Sequence, residues 1–167
     1  MRILKLLSLL LFISELGTAQ QKTGFELGAG FPSGYTVGFF SKYSPTTKLE
    51  LNYGTDLKFA DDKIVHTLTL NHGYYFGTSS TKYERKLWAI NTGLVFGYSN
   101  SSLKKTESLI LNIHFSREMC LSPKWSLEPM LGIAGFLMRK VEKKDEFLEK
   151  DNIPVFPVFG VKLLFHL

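Results

Sequence analysis

His114 and Ser116 flank Phe115, a spacing that points both side chains to one face of a β-strand, as a general base and a nucleophile would require. Glu128, one strand later, is a carboxylate that could orient the histidine. Together the three residues have the parts for hydrolysis of an ester or amide. The same face also carries polar and charged residues, so a histidine that only hydrogen-bonds inside a polar interior is the favoured reading. The chain is expected to be non-enzymatic.

A larger set of ionisable residues shares that side of the chain. Glu26, Glu50, Asp56, Glu118 and Glu128 fall on it, with Lys42, Lys48, Lys58 and Lys162. Opposite signs at close quarters suit a network of ion pairs, because a buried charge must find a partner. His66 and His72 fall on the opposite face of their strand, and His166 stands alone. No spacing of histidine, cysteine or acidic residues predicts a metal site, and no glycine-rich phosphate loop lies between a strand and a helix. No cofactor is expected. The single Cys120 has no internal partner for a disulfide, and Lys and Arg are scattered, which gives no support to nucleic-acid binding.

The elements that must position these residues are β-strands. In residues 48–59, Leu49, Leu51, Tyr53, Leu57 and Phe59 alternate with Lys48, Glu50, Asn52, Asp56 and Lys58. The same two-residue period runs through 23–31, 35–43, 64–76, 86–98, 107–118, 125–138 and 155–167, about eight strands in all. Turns fall at 32–34, 44–47, 60–63, 77–82 and 119–124. Longer polar connections cover 99–106 and 139–154, with a helical turn expected around 142–149. Eight strands with short connections predict an all-β fold, an antiparallel up-and-down barrel.

Volume decides which face looks inward. The apolar faces hold far more large side chains than the about three layers of four that fill an eight-stranded core. Glycine collects on the other face, where small residues let a narrow barrel close. The apolar face therefore meets lipid and the charged face lines the lumen. A soluble barrel with a ligand-filled, apolar interior is the competing arrangement. Ten residues at about 3.3 Å each, tilted near 40°, rise about 25 Å, the height of an outer-membrane apolar band. Phe25, Phe31, Tyr35, Phe59, Tyr74, Phe76, Trp88, Tyr98 and Trp125 lie near strand ends, where aromatic girdles form.

The amino terminus reads as an address. Arg2 and Lys5 precede an apolar run to Ile13, and Gly17-Thr18-Ala19 closes it, as in a secretory signal peptide of residues 1–19. The run is too short to span a bilayer, which takes about 20 residues. Residues 20–167 then form one domain. At the other end, Val155, Pro157, Phe159, Val161, Leu163, Phe165 and Leu167 share a face, a strand that can close a barrel by pairing with the first.

Signal peptide, alternating strands and an aromatic-rich last strand resemble the small, eight-stranded outer-membrane β-barrel proteins of Gram-negative bacteria. Gly160, Leu163 and Phe165 resemble that family's terminal assembly signal, which implies recognition by the barrel assembly machinery. His166 and Leu167 extend past the aromatic residue at which family members usually stop. Gln20 at the mature start resembles secreted Bacteroidota proteins. The resemblance implies a monomer in the outer membrane, in contact with membrane lipid and lipopolysaccharide, with both termini periplasmic. The loop 139–154 would then face outward, available to an extracellular partner. His114-Phe115-Ser116 also has the His-x-Ser spacing of the outer-membrane lipid A deacylases, although Arg117-Glu118 follow where that family has Asn and a small residue. The expected role is a barrel with a plugged polar lumen, structural or surface-interacting. A lipid A hydrolase and a soluble ligand-binding barrel stand as alternatives.

Overall fold

Strict alternation leaves each strand with two incompatible faces, and a closed ring separates them without exposing an edge. The computed structural model of the chain describes residues 22–56, 64–79, 86–100, 104–143 and 155–167. Its strands are β1 (Lys22–Phe31), β2 (Gly34–Ser44), β3 (Thr47–Asp56), β4 (Ile64–Ser79), β5 (Lys86–Asn100), β6 (Lys104–Arg117), β7 (Met119–Cys120), β8 (Trp125–Lys143) and β9 (Val155–His166). All neighbours are antiparallel. Eight of these strands form the ring, which runs from β1 to β6, passes to β8 and β9, and returns to β1. β7 lies outside the ring and pairs only with the start of β8. The fold is the expected closed up-and-down barrel.

The closing seam is the pairing expected of the last strand. Phe31 faces Phe159, Leu27 faces Leu163 and Phe25 faces Phe165 across β1 and β9. The Leu167 amide donates to the Thr23 carbonyl at 3.0 Å, so the two ends of the barrel wall finish together.

The exterior is apolar. Leu27, Val37, Leu51, Leu70, Leu94, Leu111, Ile133 and Val161 all point out of the ring, with Leu131 68 % exposed. A soluble barrel would hide these residues and expose the opposite face. Here the opposite face is the buried one: Lys48, Glu50, Asn71, Asn91, Glu118 and Glu128 are enclosed. Aromatic residues mark strand ends on the outside. Tyr53 and Tyr43 bond to His66 Nδ1 and His72 Nε2 through their hydroxyls, each at 2.6 Å. Arg117 lies over Trp88 at 5.0 Å. Phe59 lies outside the described residues.

Glycine works as expected at the closest approaches. A Cβ on Gly132 would run into the Ile113 carbonyl and stand 2.5 Å from His114 Cα, both in the backbone of β6. Gly132→Val is therefore expected to destabilise the folded barrel by about 1–3 kcal/mol, as overpacking does, read as a lower urea midpoint of the compact gel band.

Several boundaries differ from the sequence reading. β8 extends to Lys143 rather than ending at 138, which shortens the connection taken as 139–154. The cause is a bulge: Leu109 pairs with Met138 and Ile110 with Phe136, leaving Leu137 as an extra residue. The bulge reverses the parity of the strand, so its outer part no longer continues the pattern and reads as a charged loop. Arg139 comes to face Ser108. Residues 142 and 143 are in this strand rather than in a helical turn, and 144–154 lie outside the described residues. β6 begins at Lys104 and β5 reaches Asn100, so the 99–106 loop is mostly strand. β4 continues past Phe76 to Ser79 through Gly77 at φ 87°, a conformation that favours glycine, with a register shift. The turn at 119–124 contains β7. Residues 1–21, with the signal-peptide reading and Gln20, lie outside the described residues.

Candidate functional site

The inward faces of β1, β2, β3, β8 and β9 bring the lumen charges together in two groups. Lys48 on β3 pairs with Glu50 on its own strand and with Glu128 Oε2 on β8 at 2.7 Å. Glu50 also pairs with Lys162 of β9, whose Nζ stands 3.3 Å from Glu26 Oε1 on β1. Nearer the termini, Lys42 donates to Glu118 Oε2 at 2.6 Å. His166 Nε2 lies 3.2 Å from the other oxygen of Glu118. Four carboxylates thus meet three ammonium groups and a histidine, a nearly balanced set, as burial of charge requires.

Neutral side chains add hydrogen bonds to two of the carboxylates. Asn71 donates to Glu50 Oε2 at 3.0 Å, and Ser126 donates to Glu118 Oε1 at 2.9 Å. The ring of Tyr75 takes Lys42 at 4.6 Å and Lys48 at 5.3 Å over its face. Phe40 meets His166 edge to face at 5.2 Å. Asn71 and Ser126 share the charged face of their strands by parity alone, whereas Tyr75 and Phe40 escaped the sequence reading. The signal for Phe40 was present: it breaks the alternation in Phe39-Phe40 on β2.

Of the sequence-selected charges, Glu26, Lys42, Lys48, Glu50, Glu118, Glu128 and Lys162 are joined in this way. Asp56 ends β3 opposite Val65, and Lys58 lies outside the described residues. Gly160, Leu163 and Phe165 sit in β9 along the closing seam. Phe165 packs against Trp125, ring centres 4.9 Å apart.

His114, Ser116 and Glu128 all face the lumen and are buried. Ser116 donates to Glu128 Oε1 at 2.5 Å and accepts from Asn91 Nδ2 at 2.9 Å. The carboxylate thus holds the serine, whereas neither ring nitrogen of His114 has a hydrogen-bond partner among the described residues. Beside His114, Asn71 and Asn112 lies a space of about 30 Å³, enough for one or two waters. These could bond to the imidazole and to the unpartnered carboxamide oxygens of Asn71 and Asn112. At the far end of the barrel from the termini, Lys140 and Glu142 pair at 2.8 Å on the exposed part of β8. Their hydrogen bond holds the Glu142 carboxyl below its ordinary pKa and the Lys140 ammonium above its own.

An eight-stranded closed ring, apolar outside and ion-paired inside, is the architecture of a small outer-membrane-type β-barrel. Among solved structures the chain is similar to CarO2 of Acinetobacter baumannii, at TM-score 0.53 and 13 % identity over 87 % of this chain and 98 % of that one. CarO of the same organism gives TM-score 0.53 and 13 % identity over 86 % and 97 %. A major outer membrane protein from Thermus thermophilus aligns at TM-score 0.49 and 15 % identity, over 88 % and 99 %. The CarO likenesses are ones of fold. No family model matches the chain, and no curated protein does.

Proposed function

We propose that the chain is an integral outer-membrane β-barrel whose lumen is plugged by ion pairs, with a structural or surface-interacting role. The observation that carries this reading is the inversion of polarity: large apolar side chains cover the outside of a closed ring, and charges fill its inside. Lipid stabilises such an exterior, whereas water would not. The Lys162–Glu50–Lys48–Glu128 chain spans the interior from β9 to β8 by way of β3, where an aqueous path would have to run. Both termini then face the periplasm, and the β6–β8 extension carrying Lys105, Glu107, Lys140 and Glu142 projects outward. That extension is the surface offered to lipopolysaccharide or to an extracellular partner. The barrel assembly machinery would read the end of β9, and the barrel is taken to act as a monomer.

The role is non-enzymatic in this reading. The Ser116–Glu128 bond and the position of His114 inside the wall keep the three residues away from lipid acyl chains. Cell fractionation tests the whole proposal. The protein should sediment with outer membranes and migrate as a heat-modifiable band; release by osmotic shock would sink it. In planar bilayers it should show no stable conductance. Purified barrel should release no fatty acid from lipid A; release that His114→Ala abolishes would establish the hydrolase instead.

A further inference from the structure

The lumen is not charged throughout. Toward the end opposite the termini it opens into a cavity of about 380 Å³, within the range of small-molecule sites. Phe31, Val65, Ile110, Phe136 and Phe156 line it. Three of these form an aromatic frame: the Phe156 ring meets Phe31 edge-on at 5.7 Å and Phe136 at 5.3 Å. Val95 and Ile110 pack with Ala134 and Val158 into a buried apolar cluster that backs the frame. Thr67, Ser99 and Thr106 also line the space, but their hydroxyl oxygens are enclosed in the wall. Arg139 is exposed and already lies over Phe136, 5.3 Å from the ring. A charged guest would shed its water here without a free ionic partner in return. An apolar guest gives up only unfavourable contact with water.

In the membrane reading the cavity also lies beside lipid. Phe31 ends β1, and its ring stacks on the outward Phe159 at 5.9 Å while meeting the inward Phe156. One side chain thus touches both faces of the wall. Val155, Phe156, Pro157 and Val158 of β9 pair with β8 and have no partner on the β1 side among the described residues. There the space is bounded by Phe31 and Pro32 rather than by a paired strand. Apolar molecules concentrate in lipid, so the class of compound that this wall accepts is also the class richest next to it.

We propose that this end of the lumen binds a small, uncharged, apolar molecule drawn from the membrane, an aromatic hydrocarbon in size and chemistry, held among Phe31, Val65, Ile110, Phe136 and Phe156. Burial of apolar surface supplies the affinity, and the Phe31–Phe156–Phe136 frame supplies ring faces and edges for aromatic contact. The source of the ligand rests on the membrane reading, whereas the cavity needs only the closed ring, so the site can fail while the proposed function stands.

The test uses the full mature chain folded in phospholipid nanodiscs, with methyl-labelled Val, Ile and Leu and naphthalene as probe. Incorporation and a heat-modifiable gel band check the membrane reading; methyl shifts check the site. Val65, Val95 and Ile110 should shift saturably. The outward Leu70, Leu94 and Leu111 should shift only in proportion to the naphthalene dissolved in the lipid. 2-Naphthoate, the same rings with a charge, should bind about tenfold or more weakly. Val65→Trp, which fills the cavity from its rim, should abolish the saturable shifts of Val95 and Ile110. Val65→Thr keeps the volume and adds a hydroxyl; it should weaken binding about fivefold, so the test does not depend on the bulkier variant folding. Val65 and Ile110 shifts that never saturate, saturable binding that both Val65 variants leave unchanged, or equal binding of 2-naphthoate, would overturn the proposal.

Discussion

Lys48→Met is expected to cost the folded barrel about 3–5 kcal/mol, the usual penalty for breaking a buried ion pair from one side. Lys48 is fully enclosed and stands between Glu50 and Glu128. Among the described residues, its removal leaves Glu50 to Lys162 and Asn71, and leaves Glu128 with the Ser116 hydroxyl as its remaining hydrogen-bond donor. Unfolding by urea, followed through the compact gel band, should show a clearly lower midpoint. Adding Glu128→Gln should recover part of the loss, because the second change removes the charge stranded by the first. A double variant no better than the single would show that packing around the Lys48 stem, not its charge, holds the wall.

Leu94→Arg is expected to cost about 2–4 kcal/mol in a bilayer, and Tyr98→Arg only about 0–1, because the penalty for arginine on a lipid face depends on depth. Leu94 points outward, 43 % exposed, midway along β5 between Trp88 and Tyr98. It faces Leu70 and Leu111 on the adjoining strands. Unfolding from phospholipid vesicles measures both variants. Equal effects at the two depths would mean that the apolar face does not meet a membrane interior, and the membrane reading would fall with it.

The strand pattern was readable because one face of each strand is uniformly apolar over most of its length. Leu49-Glu50-Leu51-Asn52-Tyr53 on β3 and the run through β9 needed no tertiary information. Large apolar side chains too numerous for an eight-stranded interior send the charges inward, and the identities of the charged residues follow from parity alone. Which lysine meets which glutamate did not follow. Those pairings depend on the stagger between strands, and Lys48 reaches Glu128 across the lumen, eighty residues further along the chain. The bulge at Leu137 was equally hidden: Phe136-Leu137-Met138 is apolar at every position, so no alternation was left to register the slip. The apolar cluster inside the barrel had a visible signal, since Leu94-Val95-Phe96 and Leu109-Ile110-Leu111 are apolar on both faces. That signal is ambiguous in one strand, because a buried segment of any fold shows it. Only when β5, β6, β8 and β9 are set side by side do Val95, Ile110, Ala134 and Val158 become one surface.

The seam between β1 and β9 bears on how the molecule is made. The remaining ring contacts join strands that follow one another along the chain, with only the short β7 interposed between β6 and β8. Gly24 and His166, in contrast, come from opposite ends of the polypeptide. That contact closes the longest loop in the protein and bears its largest loop-closure entropy. Without β9, β1 has an open hydrogen-bonding edge able to accept any extended segment. Paired with β9, it leaves the ring with no free edge.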